Sequence, residues 1–115
     1  MKKRDRILVQ KVIGYIIEIQ QYVAGLTAEA FILDRKTVAA CAFTVAQIAE
    51  LAKEISAESQ AKYPDIPWNA MRGMRNKIVH DYESLDLSVL WATISKSLPE
   101  LQTKLTNCLF ESADS

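Results

Sequence analysis

Apolar residues recur at spacings of three and four along almost the whole chain, and that period is helical. Between Asp5 and Val23 they fall at Leu8, Val12, Tyr15, Ile16, Ile19, Tyr22 and Val23. Ile7, Val9, Ile13 and Ile17 widen the stripe well beyond one face. Such a helix is expected to lie centrally in a bundle or to share its surplus surface with a second subunit. Gly25 ends it, and Thr27 suits the cap of a short helix through Phe31 and Ile32. Asp34 is the expected cap of the longest helix, residues 35–60, with a core stripe of Val38, Cys41, Ala42, Val45, Ile48, Ala49, Ala52 and Ile55. The run Tyr63-Pro64-Asp65-Ile66-Pro67 is a clear break, with Asp65 a candidate cap. A fourth helix then runs from Pro67 to His80. A fifth begins after Asp86 with Val89, Leu90, Trp91 and Ile94. Ser97-Leu98-Pro99-Glu100 has the form of a capping box, so a kink or restart is expected there before Leu101, Leu105 and Leu109. Ser112 to Ser115 should fray. These elements predict an all-α fold, an antiparallel up-and-down bundle of about five helices.

Composition changes the picture little. The chain has 115 residues, a single-domain length, so one domain over residues 1–115 is expected. Half the residues are hydrophobic, and three Gly and three Pro are too few for an all-β protein. Fourteen basic residues balance fourteen acidic ones, so no global field draws the protein to nucleic acid or to an anionic membrane. Met1-Lys2-Lys3-Arg4 begins like a signal peptide, but Asp5, Arg6, Gln10 and Lys11 interrupt any apolar run, and no membrane span is visible. A cytoplasmic protein is expected. Cys41 and Cys108 form no framework and have no metal-ligand neighbours, so reduced thiols and no metal site are expected.

Charge is uneven locally. Residues 62–80 hold four Lys or Arg against one acid, while residues 81–115 hold two bases and six acids. A second basic cluster spans residues 2–11. The only histidine, His80, ends the basic fourth helix. At about 100° per residue, Met71, Met74 and Ile78 form the buried side of that helix. Asn69, Arg72, Gly73, Asn76 and His80 share the opposite side, and Arg75 sits at the boundary, in line with Tyr82 if the helix continues. A glycine within a helix costs about 1 kcal/mol against alanine, so Gly73 suggests a close approach at this surface. By spacing alone a solvated face remains the simplest reading of these residues, with Trp68 and Trp91 as core anchors.

The string Arg75-Asn76-Lys77-Ile78-Val79-His80-Asp81-Tyr82 changes that weighting. It resembles the R-x-x-x-x-H-x-Y signature of HepT-like proteins of the HEPN superfamily, including the Asn after the Arg. Asp34-Arg35-Lys36-Thr37, Tyr63-Pro64, Ile66-Pro67-Trp68, Leu85-Asp86-Leu87 with Val89 and Trp91, and Leu98-Pro99 follow the family's landmarks in order, so the resemblance covers nearly the whole chain. One difference lies in the third helix, where Phe43, Thr44 and Ala46 replace residues that are polar or charged in many relatives. That argues against an auxiliary role for this helix.

The resemblance implies a HEPN-type bundle, a two-fold homodimer, and the toxin of a type VII-like HEPN/MNT toxin–antitoxin module. The partner implied is an MntA-like minimal nucleotidyltransferase antitoxin, which would silence the toxin by transferring AMP onto Tyr82. The activity implied is metal-independent endoribonuclease action on RNA, with no cofactor. In that scheme Arg75 and His80 are catalytic, Asn76 supports them, and Arg72 and Lys77 contact RNA phosphate. Histidine can move protons near neutral pH, and a guanidinium fork suits phosphate oxygens. A dimer would supply the second imidazole that acid and base together require, and would account for Gly73. The alternative is a non-catalytic module that binds a nucleotide or substrate for an associated nucleotidyltransferase; beyond that lies a purely structural bundle.

Overall fold

In the computed structural model, which describes residues 1–113, every regular element is helical. The order is α1 (Lys3–Tyr22), α2 (Ala28–Leu33), α3 (Arg35–Lys53), α4 (Ala57–Lys62), α5 (Trp68–His80), a 3-10 turn (Tyr82–Ser84), α6 (Leu87–Ala92), a π-turn (Thr93–Ser97) and α7 (Leu98–Ala113). α1 packs on both α3 and α7, while α5 lies along α3. Side-chain bonds fix the directions. Arg4, near the start of α1, bonds to Glu54 beyond the end of α3, and Arg6 donates to the Leu109 carbonyl late in α7 at 3.1 Å. α1 is therefore antiparallel to both. This is the all-α antiparallel bundle that the periodicity predicts, as the resemblance to HEPN proteins also implies.

The predicted stripes are the core. Leu8, Val12, Ile16 and Ile19 of α1 are buried against Val38, Cys41, Ala42, Val45 and Ile48 of α3, with Leu90, Ile94, Leu101 and Leu105 closing the other side. Ile7 and Ile17, the surplus on α1, remain exposed. Phe31 stacks at a tilt on Trp91 with ring centroids 5.1 Å apart, which ties α2 to α6. Both cysteines are buried and unbridged, and burial pushes each thiol up to about 11. The caps at Thr27 and Asp34 form as expected, Asp86 caps α6, and Gly25, just past the end of α1, takes a left-handed φ of 80°. Among the described residues, no helix is long and apolar enough to cross a membrane.

Three local expectations need correction. The third helix does not run to residue 60. It stops at Lys53, one residue shorter than α1, and α4 starts anew after Ser56. The break is made by Asp5 of α1. Its buried carboxylate accepts from the Ser56 N–H at 3.0 Å, the Ser56 hydroxyl at 2.6 Å and the Ser59 hydroxyl at 2.7 Å. A negative charge thus sits on the freed N-terminus of α4, where the helix dipole favours it. Asp65 does not cap α5; Pro67 occupies that position without a side-chain bond, and the Asp65 carbonyl instead accepts from Lys104 at 2.9 Å.

Ser97 makes no capping bond either. The irregularity expected near Ser97-Pro99 is a wide turn inside a continuous helix, with Leu98 at helical φ −68° and ψ −41°. Pro99 lacks an N–H and its ring crowds the carbonyl four residues back, so the preceding turn widens. Hydroxyls occupy carbonyls there: Thr93 donates to Val89 and Ser95 to Trp91. α5 ends at His80, the expected end of the fourth helix, because Asp81 leaves helical geometry at φ −151°, and Tyr82 therefore lies beyond the helix. Of the residues expected to fray, Ser112 and Ala113 end α7, while Asp114 and Ser115 lie outside the described residues.

Burial raises the Asp5 carboxyl, but the hydrogen bonds from Ser56 and Ser59 outweigh it and hold its pKa below the ordinary aspartate value. Its contribution is therefore present above the unfolded-state pKa, about 3.9, and lost as pH falls through the folded value. Asp5→Ala should cost about 2–3 kcal/mol at neutral pH, lowering Tm by roughly 10 °C. Thermal melts should show this gap from the wild type narrowing below about pH 4.

Candidate active site at the end of the fifth helix

α5 carries the motif on a helix that is buried only at Ile78, with Met71, Met74 and Trp68 packed partly against the core. The Trp68 indole donates to the Tyr63 carbonyl at 3.1 Å and anchors the helix start. Five positions at 100° leave Arg75 and His80 about 140° apart on the helix, so only a long side chain can bridge them. Arg75 does so. Its Nη1 donates to Asn76 Oδ1 at 3.1 Å and lies 3.5 Å from His80 Nε2. Asn76, one turn before His80, accepts from the same guanidinium nitrogen that approaches the imidazole.

The other side of Arg75 meets a residue that sequence reasoning missed. Its Nε donates to Glu50 of α3 in an ion pair, with the two side chains 29% and 38% exposed. The pair is half-shielded rather than fully solvated. α3 thus takes part in the site, against the expectation drawn from Phe43, Thr44 and Ala46. Of those three, Phe43 is exposed, while Thr44 and Ala46 are buried. Arg72, Arg75 and Asn76 join Ala49, Glu50 and Lys53 around a hollow of about 120 Å³ between α3 and α5. Three cations and one carboxylate line it, a net positive groove. Arg72 makes only a long bond to Asn69 at 3.4 Å.

Not every expected residue joins this hollow. Lys77 pairs with Asp81 at 3.2 Å on the exposed surface. Tyr82 follows the end of α5 in the 3-10 turn, 44% exposed, and borders a separate hollow with Arg35, Val38, Leu85 and Leu87. Within the chain, no atom lies within 4 Å of a Cβ built on Gly73, so nothing in the protomer explains that glycine by close approach. The basic cluster of residues 2–11 is partly tied up elsewhere: Lys2 with Glu58, Arg4 with Glu54, Arg6 with Leu109. Among the described residues, no three His, Cys, Asp or Glu side chains are grouped to hold a metal ion.

Comparison with known proteins decides the family. A family model described as "Ribonuclease HepT-like" matches residues 12–107. This chain belongs to the ribonuclease HepT-like family. It is 31% identical over 104 residues to "Probable ribonuclease HepT" of Thermococcus cleftensis, spanning 90% of this chain and 94% of that protein. It is 31% identical over 87 residues to "Putative RNase TTE0752" of Caldanaerobacter subterraneus, spanning 76% and 78%. Another relative, "Gamma-glutamylcyclotransferase and putative RNase MJ0434" of Methanocaldococcus jannaschii, is 25% identical over 111 residues, 96% of this chain but 50% of that longer protein. No solved structure matches the chain.

Glu50 carried one sequence signal: it is the sole acid between Arg35 and Lys53. Gly73 gives a test of its own. With open space around it, Gly73→Ala should gain about 0.5–1 kcal/mol in the isolated protomer from helix propensity alone. The expected result is a Tm a few degrees higher at low protein concentration, measured by circular dichroism.

Proposed function

We propose that this protein is a metal-independent endoribonuclease, the toxin of a type VII-like HEPN/MNT toxin–antitoxin module. The observation that carries the reading is the meeting of Arg75, Asn76 and His80 at one end of α5, beside a positive groove, in a chain of the ribonuclease HepT-like family. The chemistry follows from the groups. One imidazole takes the proton of a ribose 2′-hydroxyl, and the oxygen attacks the adjacent phosphorus. The bond to the 5′-oxygen breaks, an acid returns a proton to that oxygen, and a 2′,3′-cyclic phosphate remains. Arg75 stabilises the charge that builds on the phosphoryl oxygens, and Arg72 and Lys77 hold neighbouring phosphates.

One imidazole serves poorly as both base and acid in a single step. A homodimer that faces the two α5 helices across one cleft supplies the second. Phe43 and Val79, exposed on the two helices that carry the site, favour burial there. Tyr82 is the regulatory target: its phenol attacks the α-phosphorus of ATP held by an MntA-like antitoxin, and pyrophosphate leaves. The added AMP brings negative charge beside the cleft and opposes RNA by repulsion and bulk.

Purified protein should cut RNA in EDTA. Arg75→Ala and His80→Ala should each slow cleavage at least 100-fold while leaving the helical circular dichroism unchanged. Cleavage that needs added metal, or that survives His80→Ala, contradicts the reading. Harmless expression with no RNA cut would favour the nucleotide-binding partner instead.

A further inference from the structure

The nuclease scheme gives Glu50 no task, yet Glu50 makes the one ion pair of Arg75 among the described residues. We infer that Glu50 is the positioning residue of the site, holding the Arg75 guanidinium in its working orientation from a separate helix. The inference rests on the nuclease reading of Arg75.

A guanidinium has five N–H donors in a rigid fork. Here Nε is taken by Glu50 and Nη1 by Asn76 beside His80, whereas Nη2 has no partner among the described residues. The plane is thus pinned at two points, and a terminal nitrogen is left for phosphate oxygens. Asn76 shares the helix with Arg75, so only Glu50 refers the guanidinium to the body of the bundle. That matters because α5 leans on α3 as its principal neighbour.

Neither stability nor RNA affinity accounts for Glu50. Half-exposed ion pairs contribute little to stability. A carboxylate in a groove meant for RNA weakens ground-state attraction, so binding alone would disfavour it. Orientation is the benefit left: a cation already held in place needs no reorganisation as charge builds on phosphorus. The neighbouring Lys53 and Arg72 keep the groove positive despite the carboxylate.

The test compares Glu50→Ala with Glu50→Gln, which keeps an acceptor oxygen and loses the charge. Glu50→Ala should lower kcat about 10–100-fold with KM unchanged or lower. Glu50→Gln should stay within a few-fold of wild-type kcat and also bind RNA more tightly. A merely structural role would lower Tm in both variants and would not split kcat from KM. Equal losses in the two variants, or full speed in Glu50→Ala, overturn the inference.

A second readout needs no RNA. The Arg75 Nε–H resonance, assigned by its absence in Arg75→Lys, should exchange slowly in wild type and in Glu50→Gln. It should be lost to rapid exchange in Glu50→Ala. If the wild type cuts no RNA, the nuclease reading fails while this pattern still decides whether Glu50 orients Arg75. Rapid exchange in wild type, or slow exchange in Glu50→Ala, contradicts it.

Discussion

On the proposed reading, a cation stabilises a phosphoryl transfer best when it is already held in place, and one bond between two helices fixes the guanidinium. Arg75 on α5 and Glu50 on α3 are twenty-five residues apart in sequence and joined through Nε of the guanidinium. The other two members of the motif cluster are local to α5: Asn76 follows Arg75 directly, and His80 stands one turn further on. Without the cross-helix bond the motif would rest on a helix whose one buried residue is Ile78, with Trp68, Met71 and Met74 only partly covered. With it, the guanidinium is referred to α3, which in turn packs along α1.

The same economy of charged groups recurs just beyond the end of α3. Asp5, buried on α1, ends one helix and begins the next by gathering three hydrogen bonds from Ser56 and Ser59. Arg4 and Lys2 are drawn to the same corner by Glu54 and Glu58. Part of the first basic cluster therefore serves the fold, and the cations of the groove come from α3 and α5. Balanced net charge is compatible with RNA contact because the two basic regions are put to different uses.

What was legible in the sequence was what is local. The stripes of α1 and α3, the caps at Thr27 and Asp34, and the turn at Gly25 follow from period and side-chain chemistry within a few residues. The Arg75-Asn76-His80 set was legible only through the resemblance of its motif, since helical spacing leaves Arg75 and His80 about 140° apart and the Arg75 side chain has to bridge them. The misses are tertiary. The alanine-rich run through residue 60 reads as one helix, and only a carboxylate fifty residues upstream explains why it breaks at Ser56. Ser97 and Glu100 have capping-box spacing, but Pro99 is accommodated by a π-turn instead. Glu50 is hidden in the sequence because its partner lies on another helix, and the features that mark α3, Phe43, Thr44 and Ala46, stand one turn or more before the residue that reaches Arg75. The end of the motif helix at His80 was legible too, and Asp81 turns the chain there, which leaves Tyr82 off the line of Arg75.

The central claim is that an imidazole and a guanidinium cut RNA by using the substrate's own 2′-oxygen. Mapping the ends of the cleavage products tests it most directly. The account predicts a 2′,3′-cyclic phosphate on one fragment and a free 5′-hydroxyl on the other, with no cutting where the scissile ribose is replaced by 2′-deoxyribose. A 5′-phosphate with a 3′-hydroxyl, or cleavage at the deoxy position, would mean that water is the nucleophile and would contradict it.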